Sequence, residues 1–319
     1  MNDYEKIIGV AEEIGDQYSL KELKKSSAQI TNLYKNDSGK GKKLVSDKMD
    51  VYTYLLVRFP ATYMAISRVL EICSSIFDDE IQSILDVGAG MGTATIAISR
   101  YLKKDAKFTL LEREDSMIEL GNKLFEMTDE NFNYRYEKCD YSTYSFDNKY
   151  DLVIASYTLN ELNEQDRINV VNKLWNATNK YLIIIEPGTK EGYNQIIKER
   201  EFILSAGGKI IAPCGTNNKC PLPNDDWCHF VVRVPRSKIH KTIKEAEVPF
   251  EDEKFSFVAF SKEREFELKN RILRHPIIRP GNVSIKYCSQ DGIKEKVLSK
   301  KDGEYYKTAK KLKTGDYLE

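Results

Sequence analysis

The stretch that decides the fold is residues 85–93, which read Leu85-Asp86-Val87-Gly88-Ala89-Gly90-Met91-Gly92-Thr93. A short apolar run at 83–87 leads into these glycines, and an apolar helical pattern at 94–102 follows them. Glycines at a strand-to-helix turn let the backbone approach a ligand closely. A dinucleotide fingerprint needs G-x-G-x-x-G, and its third glycine would fall on Thr93. The loop therefore predicts a ligand site, but not a nicotinamide site.

The pattern around this loop alternates between strands and helices. Further helical stretches occupy 116–126 and 164–177, and short, mostly apolar runs occupy 107–111, 150–155, 181–186, 208–212 and 255–261. Alternating strands and helices indicate a parallel sheet that is covered on both faces. The predicted fold is therefore an α/β, doubly wound sheet.

The spacing of the glycine loop resembles motif I of S-adenosylmethionine (SAM) dependent methyltransferases, with Asp86 two residues before Gly88, followed by Gly90 and Gly92. Acids and a hydroxyl stand where that fold uses them. Glu112 ends the second strand and can accept both ribose hydroxyls, Asp140 follows the third strand near the adenine amine, and Ser156 ends the fourth. The resemblance implies that these seven residues bind SAM in a methyltransferase-like domain.

Methyl transfer itself has no clear sequence signature. Enzymes that methylate base nitrogens carry an Asn/Asp-Pro-Pro-aromatic motif after the fourth strand, and residues 155–162 read ASYTLNEL instead. Tyr157, Asn160 and Glu161 are candidates to line an acceptor pocket, with a purely structural role as the alternative. No catalytic residue can be named.

Four of the six cysteines suggest a metal centre. Cys214, Cys220 and Cys228 are separated by five and seven residues, and Cys288 lies 59 residues further on. Zinc sites usually pair cysteines two to four residues apart, and a proline after a ligand, as in Cys220-Pro221, is familiar at iron–sulfur sites. We favour a 4Fe-4S cluster. Zinc and four unrelated reduced thiols are the alternatives.

Charge and composition narrow the class of protein. Of 319 residues, 41% are hydrophobic and 31% charged, which indicates a globular chain, and the longest apolar runs are too short to span a bilayer. The net charge is zero, yet 231–244 has five basic residues and no acid, and 285–313 has nine lysines against four acids. Such stretches fit a phosphate-contacting face or a merely solvated one.

Acids within the first six residues argue against a leader, so we expect a cytoplasmic protein with no membrane partner.

The chain divides into three predicted parts. Residues 1–78 read as helical, with a polar loop at 36–41 and with Pro60 either kinking a helix or starting one. Residues 79–261 form the methyltransferase-like domain, which carries the cysteine insertion at 212–245. Residues 262–319 form a basic extension with strands at 282–287 and 293–298 and a helix near 302–312.

Several stretches together resemble a known family. These are RFPATY (58–63), the glycine loop, YDLVIASYTLNEL (150–162), IIIEPGTKEGY (183–193) and the cysteine loop through 241. The chain resembles, from about 52 to 315, the methyltransferase-like proteins associated with the mitochondrial small ribosomal subunit and their bacterial and archaeal relatives. That resemblance implies SAM binding, a cluster on Cys214, Cys220, Cys228 and Cys288, and action on the small ribosomal subunit and its rRNA.

Three functions stay open from sequence. The first is an rRNA-binding assembly factor, and the second is an rRNA methyltransferase. The third is a protein whose cluster reports iron or oxygen status to translation. In each case we expect a prokaryotic cytoplasm, because no presequence is evident.

Overall fold

The computed structural model describes residues 3–15, 17–37, 48–103, 105–127 and 133–318. Its first part is helical, as predicted, and comprises α1 (Asp3–Gly15), α2 (Leu20–Asp37), α3 (Lys48–Val57) and α4 (Phe59–Ile72). Pro60 lies in the first turn of α4, where its missing N–H needs no partner, so it starts a helix. Residues 38–41 of the predicted polar loop lie outside the described residues.

The central sheet is built from eight strands: β1 (Ser83–Val87), β2 (Lys107–Glu112), β3 (Asn133–Lys138), β4 (Tyr150–Ser156), β5 (Thr178–Pro187), β6 (Lys209–Ala212), β7 (Phe230–Pro235) and β8 (Phe250–Ser261). Their order is β3-β2-β1-β4-β5-β8-β6, and β7 pairs with the first half of β8. Strands β1 to β5 are parallel, whereas β8 is antiparallel to β5, β6 and β7. The predicted doubly wound α/β fold is confirmed.

Helices cover both faces of this sheet. They are α5 (Thr93–Ser99), α6 (Asp115–Met127), α7 (Glu164–Ala177) and α8 (Lys190–Ser205). Because side chains alternate along a strand, Ile183 packs with α4, α5 and α6, while its neighbours Leu182 and Ile184 pack with α7 and α8. Apolar side chains on both faces explain why these strands are continuous apolar runs in the sequence.

The C-terminal extension is a second, smaller sheet. It contains β9 (Asn270–Ile272), β10 (Ile277–Arg279), β11 (Asn282–Ser289), β12 (Gly292–Ser299) and β13 (Tyr317–Leu318), together with α10 (Glu304–Ala309). The predicted β11–β12 hairpin is confirmed, with Ser289 opposite Gly292 at the turn. The predicted helix over 302–312 is too long, since Ser299 and Asp302 form a capping box on a 3-10 turn before it.

The insertion between β6 and β8 contains β7 and the short helix α9 (Lys238–Ile243). Neither was predicted. Our division of the chain at 78/79 and 261/262 stays a prediction.

Across the described ranges we find no helix with the length and apolar character that a bilayer crossing requires.

Candidate ligand and metal sites

The glycine loop turns with left-handed backbone angles. Gly88, Gly90 and Gly92 have φ values of 63°, 56° and 82°. A Cβ on Gly88 would lie 2.0 Å from Thr158 Oγ1, so that position has room only for glycine, whereas a Cβ on Gly90 would meet nothing within 4 Å. Gly92 caps α5. The loop thus packs tightly against the segment after β4 and stays open at Gly90.

Asp86 is buried next to this loop and accepts hydrogen bonds from the helix that follows it. Its Oδ2 accepts hydrogen bonds from the N–H of Thr95 at 3.1 Å and from Thr95 Oγ1 at 2.9 Å. The side chain is 1% exposed, and this burial raises its pKa to about 7. Asp86 therefore holds the start of α5 against β1.

Glu112 fixes the loop from the neighbouring strand. Its Oε2 accepts from the N–H of Gly90 at 2.8 Å, and its Oε1 accepts from the N–H groups of Arg113 and Glu114 at 2.8 and 2.9 Å. Burial raises the pKa of the carboxyl, against these three hydrogen bonds. One carboxylate thus connects the end of β2 to the glycine turn.

A cavity lies at this carboxyl edge of the sheet. Of the predicted binding residues, Gly88, Gly90, Glu112 and Ser156 line it. Asp86, Gly92 and Asp140 are not among the lining residues, and the Asp140 carboxylate accepts hydrogen bonds from the N–H and the hydroxyl of Ser142. The crevice outside the carboxyl ends of parallel strands is where open α/β sheets bind ligands.

The opposite wall comes from helices to which the sequence assigned no role. Tyr54 of α3 and Thr62 and Ile66 of α4 face the glycine loop across the cavity. Thr62 belongs to the RFPATY stretch, but its apolar periodicity predicted only a helix. The sequence alone does not show that α3 and α4 fold back over the sheet.

The segment after β4 supplies the far end of the cavity. Tyr157 lines it with φ 55°, a rare conformation for a residue with a side chain. Glu161 also lines it, 3.5 Å from Arg113 Nη2, and burial raises its pKa to about 7. Asn160 instead lines a neighbouring groove that also contains Arg58 and Glu253.

The four cysteines of the predicted metal site come together. Cys214, Cys220, Cys228 and Cys288 line one cavity between α8, the insertion and β11. Burial raises the pKa of Cys228 well above its ordinary value and that of Cys288 to about 11. If these buried thiols ionised, the four thiolates would require compensating positive charge nearby.

The wall of this cavity contains a donor that lacks an acceptor. Arg200 Nε is buried and has no partner within hydrogen-bonding geometry among the described residues. Burial raises the pKa of the Cys214 thiol, and the Arg200 guanidinium beside it acts in the opposite direction. An anionic sulfur group would accept that N–H. In the described ranges, no three His, Cys, Asp or Glu side chains gather closely enough to hold a metal ion.

Arg271 ties the insertion to the C-terminal extension. It is 6% exposed, and it donates from Nε to the Pro213 carbonyl at 3.0 Å and from Nη1 to the Gly315 carbonyl at 2.6 Å. The Ser256 hydroxyl donates to the Cys228 carbonyl at 2.7 Å. The loop that carries three cysteines is therefore held by groups from β8 and β9.

Both arginines of the first basic stretch pair with acids. Arg233 Nε lies 3.0 Å from Asp252, and Arg236 Nη2 lies 3.0 Å from Glu251, because β7 pairs with β8. In the second stretch, Lys296, Lys300 and Lys301 are exposed around β12. These three lysines are therefore candidates for contacts with phosphates.

Residues 48–319 match the family model described as Rsm22, mitochondrial small ribosomal subunit Rsm22. The chain belongs to this family. The Rsm22 match includes both cavities, since all of their lining residues lie within it. It leaves out α1 and α2.

Curated relatives of this Rsm22-family chain include a ribosome assembly protein. The human mitochondrial ribosome assembly protein METTL17 is 26% identical over 291 residues, covering 83% of this chain and 61% of the human protein. The Rsm22-cox11 tandem protein 2 of Schizosaccharomyces pombe, also mitochondrial, is 23% identical over 329 residues, covering 83% of this chain and 42% of the yeast protein. The chain therefore spans less than two thirds of either relative.

Solved structures similar to this Rsm22-family chain include methyltransferases. Magnesium protoporphyrin IX methyltransferase from Synechocystis PCC 6803 with bound SAM is 12% identical, with a TM-score of 0.43, and covers 75% of this chain and 97% of that one. The Rossmann-like assignment of the fold itself follows from the order and direction of the strands in the central sheet.

Proposed function

We propose that this protein is an assembly factor of the small ribosomal subunit that binds SAM, holds an iron–sulfur cluster and contacts rRNA. The Rsm22-family match over residues 48–319 carries the proposal. The name of the human relative, a ribosome assembly protein, supports it. The division into residues 1–78, 79–261 and 262–319 is part of the same proposal.

SAM binding is supported by the first cavity. The open turn at Gly90 and the Glu112 carboxylate stand together at the carboxyl edge of the sheet. Glu112 would accept hydrogen bonds from the ribose hydroxyls, while Gly88, Gly90 and Ser156 would form the wall around the ligand. Asp86 and Gly92 would shape the loop from behind, and Asp140 would stand near the adenine amine. Tyr54, Thr62 and Ile66 would exclude water from the other side.

The cluster is supported by the second cavity. The spacing of the cysteines favours a 4Fe-4S cluster over zinc, because the pairs two to four residues apart that are usual at zinc sites are missing and Pro221 follows Cys220 directly. Cys214, Cys220, Cys228 and Cys288 would hold it, and when bound it would covalently join the insertion to β11.

Contact with rRNA is supported by the C-terminal extension. Lys296, Lys300 and Lys301 lie exposed on and after β12, in a segment with a surplus of five lysines over acids. Nucleic-acid affinity comes largely from phosphate contacts. The cluster would hold this face in one orientation, since Cys288 lies on β11 beside β12.

The human and Schizosaccharomyces pombe relatives are mitochondrial by name, whereas a cytoplasmic location of this chain is part of our proposal.

Co-sedimentation tests the proposal. Protein purified without oxygen, with its iron content measured, is centrifuged with small and large subunits through sucrose gradients at several salt concentrations. We expect it to migrate with the small subunit, and to bind SAM in calorimetry. The absence of small-subunit binding even at low salt would overturn the assembly role.

A second candidate function, an active rRNA methyltransferase, is favoured by Glu161. This carboxyl lines the first cavity, and its pKa of about 7 suits a group that takes up a proton near neutral pH. Labelled methyl transfer from SAM to small subunits from a deletion strain tests it. Label in rRNA would establish the enzyme, whereas binding without label leaves the assembly role alone.

A further inference from the structure

One side of helix α8 faces the cysteine cavity. Tyr193 and Arg200 are seven residues apart, close to two full turns, so both point the same way. Both line the cavity together with the four cysteines. Tyr193 Oη lies 3.3 Å from Cys220 Sγ. The helix thus presents two polar groups to a cavity that the four cysteines also line.

Arg200 is enclosed to a degree that is unusual for a charged side chain. It is 1% exposed, and its Nη2 donates to the carbonyls of Thr216 and Asn218, both at 2.8 Å. Its Nη1 pairs with Glu201. These contacts hold the guanidinium against the loop between Cys214 and Cys220, and they leave only Nε without an acceptor among the residues described.

A buried donor without an acceptor destabilises a protein, so a group that accepts from it is favoured at that place. Burial raises the pKa of the nearby Cys214 thiol, and the Arg200 guanidinium acts in the opposite direction, which places the cation beside this sulfur. Arg271, the other buried arginine on this cavity, already donates from Nε to Pro213 and from Nη1 to Gly315. Arg200 is therefore the cation whose free N–H faces the cysteines.

We propose that Arg200 and Tyr193 are positioning residues for the cluster: Arg200 Nε–H and Tyr193 Oη–H donate to its sulfur ligands, and the guanidinium offsets its negative charge. This inference rests on the proposed function, in which the four cysteines hold a 4Fe-4S cluster. Hydrogen bonds and positive charge at the sulfurs stabilise the more negative, reduced cluster. They therefore raise the reduction potential.

The test is a redox titration of the full-length protein, reconstituted with iron and sulfide without oxygen and followed by visible absorption and electron paramagnetic resonance. Arg200→Met removes the charge at similar volume, Arg200→Lys keeps it, and Tyr193→Phe removes one hydroxyl. Lys198→Met is the matched control on α8, because Lys198 is half exposed and pairs with Glu164.

We expect Arg200→Met and Tyr193→Phe each to lower the ratio of reduced to oxidised cluster at a fixed potential about tenfold, which corresponds to about 59 mV for one electron. Arg200→Lys should recover part of the Arg200→Met shift, and Lys198→Met should match the wild type. If Arg200→Met does not fold, the reduction potential of Tyr193→Phe still tests the proposal, because this variant lacks only one oxygen atom.

The outcomes separate the two proposals. A wild-type protein that takes up no cluster overturns the cluster and this inference together. A wild-type protein that holds the cluster, with unchanged potentials in both Tyr193→Phe and the arginine variants, overturns this inference alone.

Discussion

The backbone N–H of Gly90 donates to Glu112 Oε2 over 2.8 Å, although 22 residues separate the two. This bond joins the turn after β1 to the end of β2, the strand beside it. The conformation of the glycine loop is thus set by an acid on another strand, and the same acid lines the cavity. Shape and ligand binding are coupled at this one carboxylate.

Replacing Glu112 by Gln should weaken SAM binding about tenfold, because hydrogen bonds to a charged group contribute about 1.5–3 kcal/mol. Titration calorimetry measures the change. Glu119→Gln on the exposed side of α6 serves as the control and should bind SAM like the wild type. Equal affinities of all three proteins would contradict the role of Glu112.

Alanine at Gly88 should destabilise the protein by about 3 kcal/mol, since it combines left-handed strain with a clash against Thr158. Alanine at Gly90 brings similar strain but no clash, so about 1 kcal/mol is expected. Urea unfolding of the two variants gives the comparison. Equal decreases in the free energy of unfolding would show that the close approach of Gly88 to Thr158 does not contribute to the cost of the substitution.

Acidification from about pH 8 to 5.5 should stabilise the fold. Asp86 and Glu199 are 1% and 0% exposed, and burial raises the pKa of each to about 7. The folded state therefore binds protons that the unfolded chain releases, so the free energy of unfolding falls as pH rises through this window, by about 1–3 kcal/mol per carboxyl. Unfolding midpoints across this window measure the slope.

Glu199→Gln isolates one part of this effect, because an amide does not titrate. We expect it to flatten the pH dependence, while Glu126→Gln on the exposed surface of α6 leaves it unchanged. A Glu199→Gln variant with the full wild-type slope would assign the effect to other groups.

Arg271→Met should destabilise the protein by about 3 kcal/mol, because the carbonyls of Pro213 and Gly315 lose their buried donor. Arg264→Met is the matched control: it removes an arginine that is 38% exposed and pairs with Asp79, so less than about 1 kcal/mol is expected. Thermal melts compare the two. Similar losses would mean that Arg271 does not tie the insertion to the extension.

Replacing Lys296, Lys300 and Lys301 together by Ala should lower affinity for small subunits and reduce the dependence of binding on salt, by a slope of about 2. Binding across a range of salt concentrations measures this. The control replaces three exposed lysines of the methyltransferase-like domain, Lys103, Lys123 and Lys149. Identical salt slopes in both variants would place the RNA contact elsewhere.

The prediction of the fold from sequence succeeded where the signals are local. Apolar runs of strand length, helical periodicity and the glycine turn are read within a few residues, and β1, β4, β5 and α7 stand where they were expected. The short elements β7, α9 and β13 carry too little periodicity to be seen. Their stability comes from partners that lie far away in the chain.

The sequence by itself determined the α/β class, the glycine loop with its acid at position 112, and the four cysteines, because each depends on residue type and spacing. Only the tertiary structure decided that Thr62 and Ile66 close the first cavity and that Arg200 faces the second. It also decided that Asp252 and Glu251 neutralise Arg233 and Arg236. Contacts between distant segments depend on strand register and helix packing, and neither is encoded in any single stretch of the chain.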